Sequence, residues 1–255
     1  MNFQLRREEV LDGDQLKAML EESPASAAQA ILIAARAGVL DAQALLGQIL
    51  LDGQGIELDQ RLALRWFEIA AQGGHLMARN MLGRCHEHGW GCVADAAVAA
   101  RHYGVAADAG LDWAMYNYAN LLATGRGGVE DQVQALSLYR RAAQLGHAKS
   151  MNLLGRYLEE GRFCPADPAG AVHWYRRSAL GGDFRGQFSY AAVLASEGNL
   201  DEALDWLRKA LVGGNLNFLR VASQSLLGAT DPQIRALAAD YAERCAELEQ
   251  TLTPL

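Results

Sequence analysis

The sequence predicts an all-α protein, a right-handed α-solenoid of antiparallel helix pairs. Three observations predict it: a glycine recurs every 36 residues, apolar residues recur at three- and four-residue steps inside each interval, and a glycine-rich turn separates two such apolar runs. A unit holding two amphipathic helices buries its apolar faces against the neighbouring units, so such units stack in a row.

The register of the repeat is visible at several positions. The glycine series is Gly38, Gly74, Gly110, Gly146 and Gly182, with Gly214 after a shorter step; Ala63, Ala99, Ala135 and Ala171 share a second slot, Phe67, Tyr103, Tyr139 and Tyr175 a third, and Asp59, Asp95, Asp131 and Asp167 a fourth. We expect each aspartate to cap the second helix of its pair and each glycine to lie just past the end of that helix.

Glycine also marks the turn inside the first three units, and glycine or alanine marks the helix before the turn. The turn reads Gly53-Gln-Gly55, then Gly89-Trp-Gly91, then Gly125-Arg-Gly127, where the chain reverses through positive φ. Small residues share a slot on the first helices, where they let paired helices approach closely: Gly47, Gly83, Ala119, Gly155 and Ala191.

These residues together resemble a known repeat. The combination Leu46-Gly47, Gly53-x-Gly55-Ile56, Asp59, Ala63, Trp66-Phe67, Ala70-Ala71 and Gly74 is similar to the Sel-one-like repeat, a relative of the tetratricopeptide repeat. The resemblance covers four units in full, whereas the fifth replaces the Gly-x-Gly turn by Ser196-Glu-Gly-Asn199. It implies a superhelix whose first helices line a concave groove, and a role in protein–protein interaction.

The predicted organisation has three parts. N-terminal capping helices, a degenerate half repeat, occupy 1–38; five repeats follow at 39–74, 75–110, 111–146, 147–182 and 183–214; a C-terminal half repeat and capping helix occupy 215–255. The last helix begins after Thr230-Asp231-Pro232, which offers an N-cap followed by proline.

Composition narrows the classes of partner. With 51% hydrophobic and 21% charged residues the chain is globular, and its net charge of −7 argues against nucleic acid or an anionic membrane as partner. The N-terminus lacks the apolar segment of a secretory signal, so we expect a cytoplasmic protein with four reduced cysteines. We expect no cofactor and no small-molecule substrate, and a monomer or weak homodimer.

One cluster offers a chemical alternative. Cys85, His88 and Cys92 lie at the short spacings of zinc ligands, which would make the protein a metal- or redox-responsive regulator. The repeat register favours core packing, because Cys85 occupies the slot of Ile49 and Leu121. No catalytic motif is present, so the sequence does not predict an enzyme.

The predicted binding residues lie on the first helices, at positions that should face the groove. They are Asn80, Arg84, Trp113, Tyr116, Asn120, Lys149, Asn152, Arg156, Arg185 and Phe188. Exposed asparagine and arginine side chains can hold the backbone and carboxylates of an extended peptide, as in the carboxylate clamp of some tetratricopeptide co-chaperones, whose pattern is not reproduced in full. The resulting hypothesis is an adaptor for an acidic protein segment, accessory to an enzyme or an assembly. Equally open is that the arginines are solvated or pair with nearby glutamates, and that the aromatic residues pack between helices.

Overall fold

The computed structural model describes residues 23–252, and these form thirteen α-helices and no strand. The helices are α1 (Pro24–Arg36), α2 (Leu40–Asp52), α3 (Gln60–Gln72), α4 (Leu76–His88), α5 (Ala96–Asp108), α6 (Asp112–Thr124), α7 (Gln132–Gln144), α8 (Ala148–Glu160), α9 (Pro168–Leu180), α10 (Phe184–Ser196), α11 (Leu200–Gly213), α12 (Leu216–Leu227) and α13 (Pro232–Leu252). The part of the predicted N-terminal cap within 1–22 lies outside the described residues.

The chain divides into two compact units, Met1–Glu130 and Asp131–Leu255. In the first unit, α1 to α6 pack consecutively, and α4 also contacts α6. In the second unit, α7 to α11 pack consecutively, α8 also contacts α10, and α13 packs against α12 and α11. The predicted all-α fold of antiparallel helix pairs is confirmed.

Polar side chains cap four of the second helices and some of the first helices. The predicted aspartate caps are confirmed: Asp59, Asp95, Asp131 and Asp167 each accept a backbone N–H of the first turn of α3, α5, α7 and α9, at 2.8–3.0 Å. The first helices use other residues, with His75 Nδ1 accepting from Ala78 N at 3.0 Å and His147 Nδ1 from Ser150 N at 3.2 Å. Each cap satisfies a backbone donor that the helix itself leaves without a partner.

The glycine turn of one repeat packs on the second helix of the preceding repeat. Gly91 has φ +75°, and a Cβ there would overlap the carbonyl oxygen of Gln60 at the start of α3. Gly127 has φ +84° and lies in the same way against Ala96 at the start of α5. At these two positions the turn therefore needs glycine both for its backbone conformation and for lack of space, whereas the same slot of the fourth repeat holds Phe163 at φ +60°.

A second close approach joins the two helices within a repeat. A Cβ at Gly83 in α4 would overlap the ring of Tyr103 in α5, which is fully buried, and the Tyr103 hydroxyl donates to Glu87 Oε2 at 2.8 Å. In the second unit Gly155 meets the ring of Tyr175, whose hydroxyl donates to Glu159 Oε2 at 2.7 Å. The glycine of the first helix therefore leaves the space that the tyrosine ring of the second helix occupies.

We expect Gly83→Ala to lower the free energy of unfolding by about 1–3 kcal/mol, because the added methyl group forces the Tyr103 ring out of a packed site. Gly104→Ala is the matched control. It lies mid-helix in α5, where the nearest atom to an added Cβ is 3.7 Å away, so it should gain about 0.5–1 kcal/mol from helix propensity. Urea unfolding followed by circular dichroism measures both, and equal effects of the two variants would contradict the close-packing argument.

Candidate functional site

In the first unit, Asn80 is part of the contact between two first helices. It is 2% exposed, and its Oδ1 accepts from Asn117 Nδ2 in α6 at 2.9 Å. The expectation that this asparagine is exposed is wrong, because its amide is used between α4 and α6. Asn117 was not among the predicted residues, since it stands one position away from the slot that Asn80 shares with Tyr116.

Arg84, in the same helix, is half-buried and lies over an aromatic ring. Its guanidinium carbon is 5.0 Å from the ring centroid of Trp90, the residue between the two turn glycines. Trp113 at the start of α6 is 42% exposed, whereas Tyr116 and Asn120 are half-buried. The first unit therefore presents an arginine and a tryptophan at the predicted positions, while its asparagine Asn80 is buried.

In the second unit, the basic residues at the predicted positions are more accessible. Arg156 and Arg185 are exposed and Lys149 is half-buried. The Nε of Arg156 is 3.9 Å from Glu160 Oε1, a surface pair in which the arginine side chain is 58% exposed. Such a pair contributes little stability, so it leaves the guanidinium available to a ligand.

The remaining polar residue of this set is buried. Asn152 is 8% exposed, and its Oδ1 has no hydrogen-bond partner within the described part of the chain. The expectation of an exposed asparagine is therefore wrong here as well. The Arg185 guanidinium lies 4.6 Å from the centroid of the Phe184 ring, which orients it by a cation–π contact.

Phe188 lies beside two adjoining cavities of the second unit. One, of about 640 Å³, lies among α10, α11, α12 and the start of α13. The other, of about 360 Å³, is lined by residues of α8, α9 and α10, including Glu159 and Tyr175. Phe188, Ala192 and Ser196 of α10 line both. The Phe188 ring also contacts Phe218 at 5.7 Å and Tyr241 at 6.4 Å between centroids.

The cysteine cluster packs as core rather than as a ligand set. Cys85 is fully buried, and burial raises the pKa of its thiol to about 12. The Sγ of Cys92 is 3.6 Å from the Cys85 carbonyl oxygen and 3.5 Å from His86 Nδ1, while the His88 ring lies on Trp90 with centroids 4.7 Å apart. Among residues 23–252 no group of three histidine, cysteine or acidic side chains is placed to hold a metal ion, so the geometry gives the metal or redox alternative no support.

We expect Cys85 to resist alkylation in the folded protein at pH 8, because the thiol is buried and protonated at that pH. Cys92 and Cys164, which are half-buried, should react first. Iodoacetamide labelling followed by peptide mass spectrometry measures the order, and the urea-unfolded chain, in which all four thiols should react, is the control. Fast labelling of Cys85 in the native protein would contradict the core assignment.

The comparison with protein families decides the classification. The model of the Sel1 repeat matches residues 40–75, 76–111, 114–147, 148–183 and 194–211. The chain belongs to the Sel1 repeat family. Its fifth match is the shortest, in the unit where Ser196-Glu-Gly-Asn199 stands in place of the turn. No curated protein matches the chain significantly.

Solved structures show the same fold. A Sel1 repeat protein from Oxalobacter formigenes aligns with a TM-score of 0.75 at 22% identity, over 92% of this chain and 99% of its own. A protective antigen of uropathogenic Escherichia coli with an SLR fold aligns with a TM-score of 0.66 at 24% identity, over 92% of this chain and 52% of its own. An immunity protein from Pseudomonas aeruginosa aligns with a TM-score of 0.54 at 16% identity, over 82% of both chains.

A buried carboxylate lies beside the basic residues of the second unit. Asp183 ends the fourth Sel1 match, is 5% exposed and accepts from Gly186 N at 2.9 Å as the N-cap of α10. Burial raises the pKa of this carboxyl, while the Gly186 hydrogen bond, Arg185, the Ser178 hydroxyl and Lys149 partly offset the rise. Its Oδ1 has no hydrogen-bond partner among the described residues. The slot is occupied by histidine in two other Sel1 repeats, so the sequence register alone did not single it out.

We expect Asp183→Asn to raise the melting temperature at pH 7. Because the pKa of Asp183 is raised in the folded state, the folded chain binds the carboxyl proton more tightly than the unfolded chain does. The contribution of this carboxyl group to stability is therefore present at acid pH and is lost as the pH rises through the folded-state pKa. Asparagine keeps the capping oxygen and cannot ionise. Melting curves between pH 3.5 and pH 7 should show the variant's advantage grow with pH; an advantage that shrinks as pH rises would contradict the sign.

No helix of residues 23–252 is both long enough and apolar enough to cross a membrane.

Proposed function

We propose that this Sel1 repeat protein is a non-catalytic scaffold that holds a segment of a partner protein on the first-helix side of its second unit. The segment is acidic where it passes Lys149, Arg156 and Arg185, and the protein acts as an accessory or regulator of an enzyme or an assembly. The corresponding residues of the first unit, Arg84 and Trp113 foremost, offer a further contact surface. The expected cytoplasmic location and the monomeric or weakly dimeric state stay predictions of the sequence.

One observation carries the proposal. Phe188 and Ala192, which stand at the groove-facing positions of the repeat register, line both cavities of the second unit. A concave site next to an aromatic ring is where a partner side chain can lose contact with water, which is the condition for a strong contact at a protein interface.

The charge on α8 and at the start of α10 favours an acidic partner there. Lys149 and Arg185 both lie close enough to Asp183 to oppose the rise of its pKa. Because the Asp183 side chain is buried and Arg185 is exposed, the Arg185 guanidinium still faces solvent, where a ligand can reach it. Arg156 adds a third positive charge on α8. Guanidinium groups bind carboxylates through two parallel hydrogen bonds, so an extended acidic segment is the ligand chemistry that suits them. The family supports the class of function, since Sel1 repeats in general mediate protein–protein interaction.

The test compares two variants of equal charge. Arg156→Ala with Arg185→Ala removes two cations from the first helices, and Arg140→Ala with Arg176→Ala removes two exposed cations from the second helices α7 and α9. Partners captured by the intact chain are identified by mass spectrometry, and their affinities for both variants are then measured. We expect the first variant to bind about tenfold more weakly at low ionic strength and the second to bind as the wild type does.

The same titration at high salt provides the internal control. The difference between the two variants should shrink as salt screens the exposed charges over a Debye length of about 8 Å at physiological ionic strength. Equal affinities of both variants at low salt, with both folded by circular dichroism, would show that the first-helix side does not hold the partner.

A further inference from the structure

The larger cavity of the second unit occupies a position that the fold fills with polypeptide elsewhere. In the first unit, the turn at Gly91 packs on Gln60 and the turn at Gly127 packs on Ala96, the first residues of α3 and α5. The same slot at the start of α11 is Leu200, because Ala63, Ala99 and Ala203 are equivalent buried residues. Leu200 has no such turn on it and lines the cavity instead.

The reason is the connection that follows α12. This helix stands in the place of a first helix, but residues 228–231 lead directly into α13, without the glycine turn that follows α4 and α6. Ala229, Thr230, Asp231 and Pro232 of this connection line the cavity together with Leu200 and Leu207 of α11.

The walls of this cavity are mostly apolar. Phe188, Ala192, Leu200, Leu207, Leu226 and Ile234 form most of the apolar surface. At α3, where the turn is present, a cavity of about 600 Å³ has a more mixed lining, in which Asp59, Gln60 and Arg61 stand beside Leu58, Cys92, Val93 and two turn glycines. The mostly apolar surface at α11 has no turn on it, and its burial would be favourable.

The rim of the cavity is acidic. Asp231 is part of the lining, Glu197 is exposed between the lining residues Ser196 and Gly198, and the exposed Asp201 follows Leu200. Arg235 is held against the loop, with Nε donating to the Ala229 carbonyl at 2.9 Å and Nη2 to the Thr230 carbonyl at 3.0 Å. A ligand that enters here meets apolar walls and a net negative mouth.

We propose that this cavity is the anchor point of the bound segment, and that it takes a large apolar side chain flanked by lysine or arginine. The inference rests on the proposed function and specifies the sequence of the bound segment. Acidic residues of the segment lie beside the cations near the start of α10, and a basic, apolar stretch of the same segment lies at the end of α10. A polypeptide is the occupant because the fold itself covers the equivalent surface with the backbone of a turn, at Gly91 in one repeat and at Gly127 in the next.

A random dodecapeptide library displayed on phage is the probe, selected against the intact chain at low salt. We expect enriched peptides to carry tryptophan, phenylalanine or leucine next to lysine or arginine. Synthetic copies of the enriched peptides should bind Ala192→Trp about tenfold or more weakly than the wild type, because Ala192 is an exposed helical residue whose enlargement fills the cavity. Ala246→Trp, an equal change on the exposed face of α13, is the control and should leave affinity unchanged.

A second pair of variants tests the rim. Asp231→Asn with Glu197→Gln keeps the capping oxygen that accepts from Ile234 N at 3.0 Å and removes two negative charges. It should weaken binding of the basic peptides at low salt, whereas Asp240→Asn with Glu243→Gln, which removes two exposed charges of α13, should not.

The outcomes separate the two proposals. Peptides that depend on Arg156 and Arg185 but bind Ala192→Trp normally would overturn the cavity assignment and leave the scaffold function standing. Failure to enrich any peptide would overturn both. An apolar small molecule that co-purifies with the wild type in native mass spectra and is lost from Ala192→Trp would assign the cavity to a small ligand and overturn the peptide.

Discussion

The close approach of a glycine to an aromatic ring is the contact on which the helix pairing of three Sel1 repeats depends, at Gly47, Gly83 and Gly155. Gly83 against Tyr103 in the first unit and Gly155 against Tyr175 in the second bring the two helices of a pair together with no room for a methyl group. The ring fills the space, and its hydroxyl reaches a glutamate one turn beyond the glycine on the facing helix. The rotation of one helix about its axis relative to the other is thereby set, and with it the direction in which the exposed side chains point.

Much of this architecture could be predicted from the sequence because it is local and periodic. A capping aspartate accepts from backbone N–H groups two or three residues away, and a turn glycine is required by the positive φ of its own position. The 36-residue register is therefore enough to locate both. The same register assigned Cys85 to the core, although its spacing from His88 and Cys92 is typical of zinc ligands. Here the repeat supplied an internal alignment, in which equivalent positions show what an environment requires.

The features that the sequence did not predict depend on departures from the register. Asn80 is withdrawn from solvent by Asn117, which has no counterpart at its own slot one repeat away. The cavity over Leu200 arises from a turn that is missing, and an absent segment leaves no residue pattern to recognise. Asp183 is buried where two other repeats have histidine. Periodicity describes what the repeats share, and the candidate binding site is assembled from what they do not share.

The terminal helix α13 has a consequence for self-association. It covers α12 with Ile234, Leu237 and Tyr241, and it turns Asp240 and Glu243 to the outside. A stack of identical units that ended on an apolar face would present a head-to-tail surface on which another molecule could continue the row without limit, as in a fibre. The charged outer face of α13 disfavours such propagation on this helix, because Asp240 and Glu243 of one molecule would have to lose their contact with water against the next.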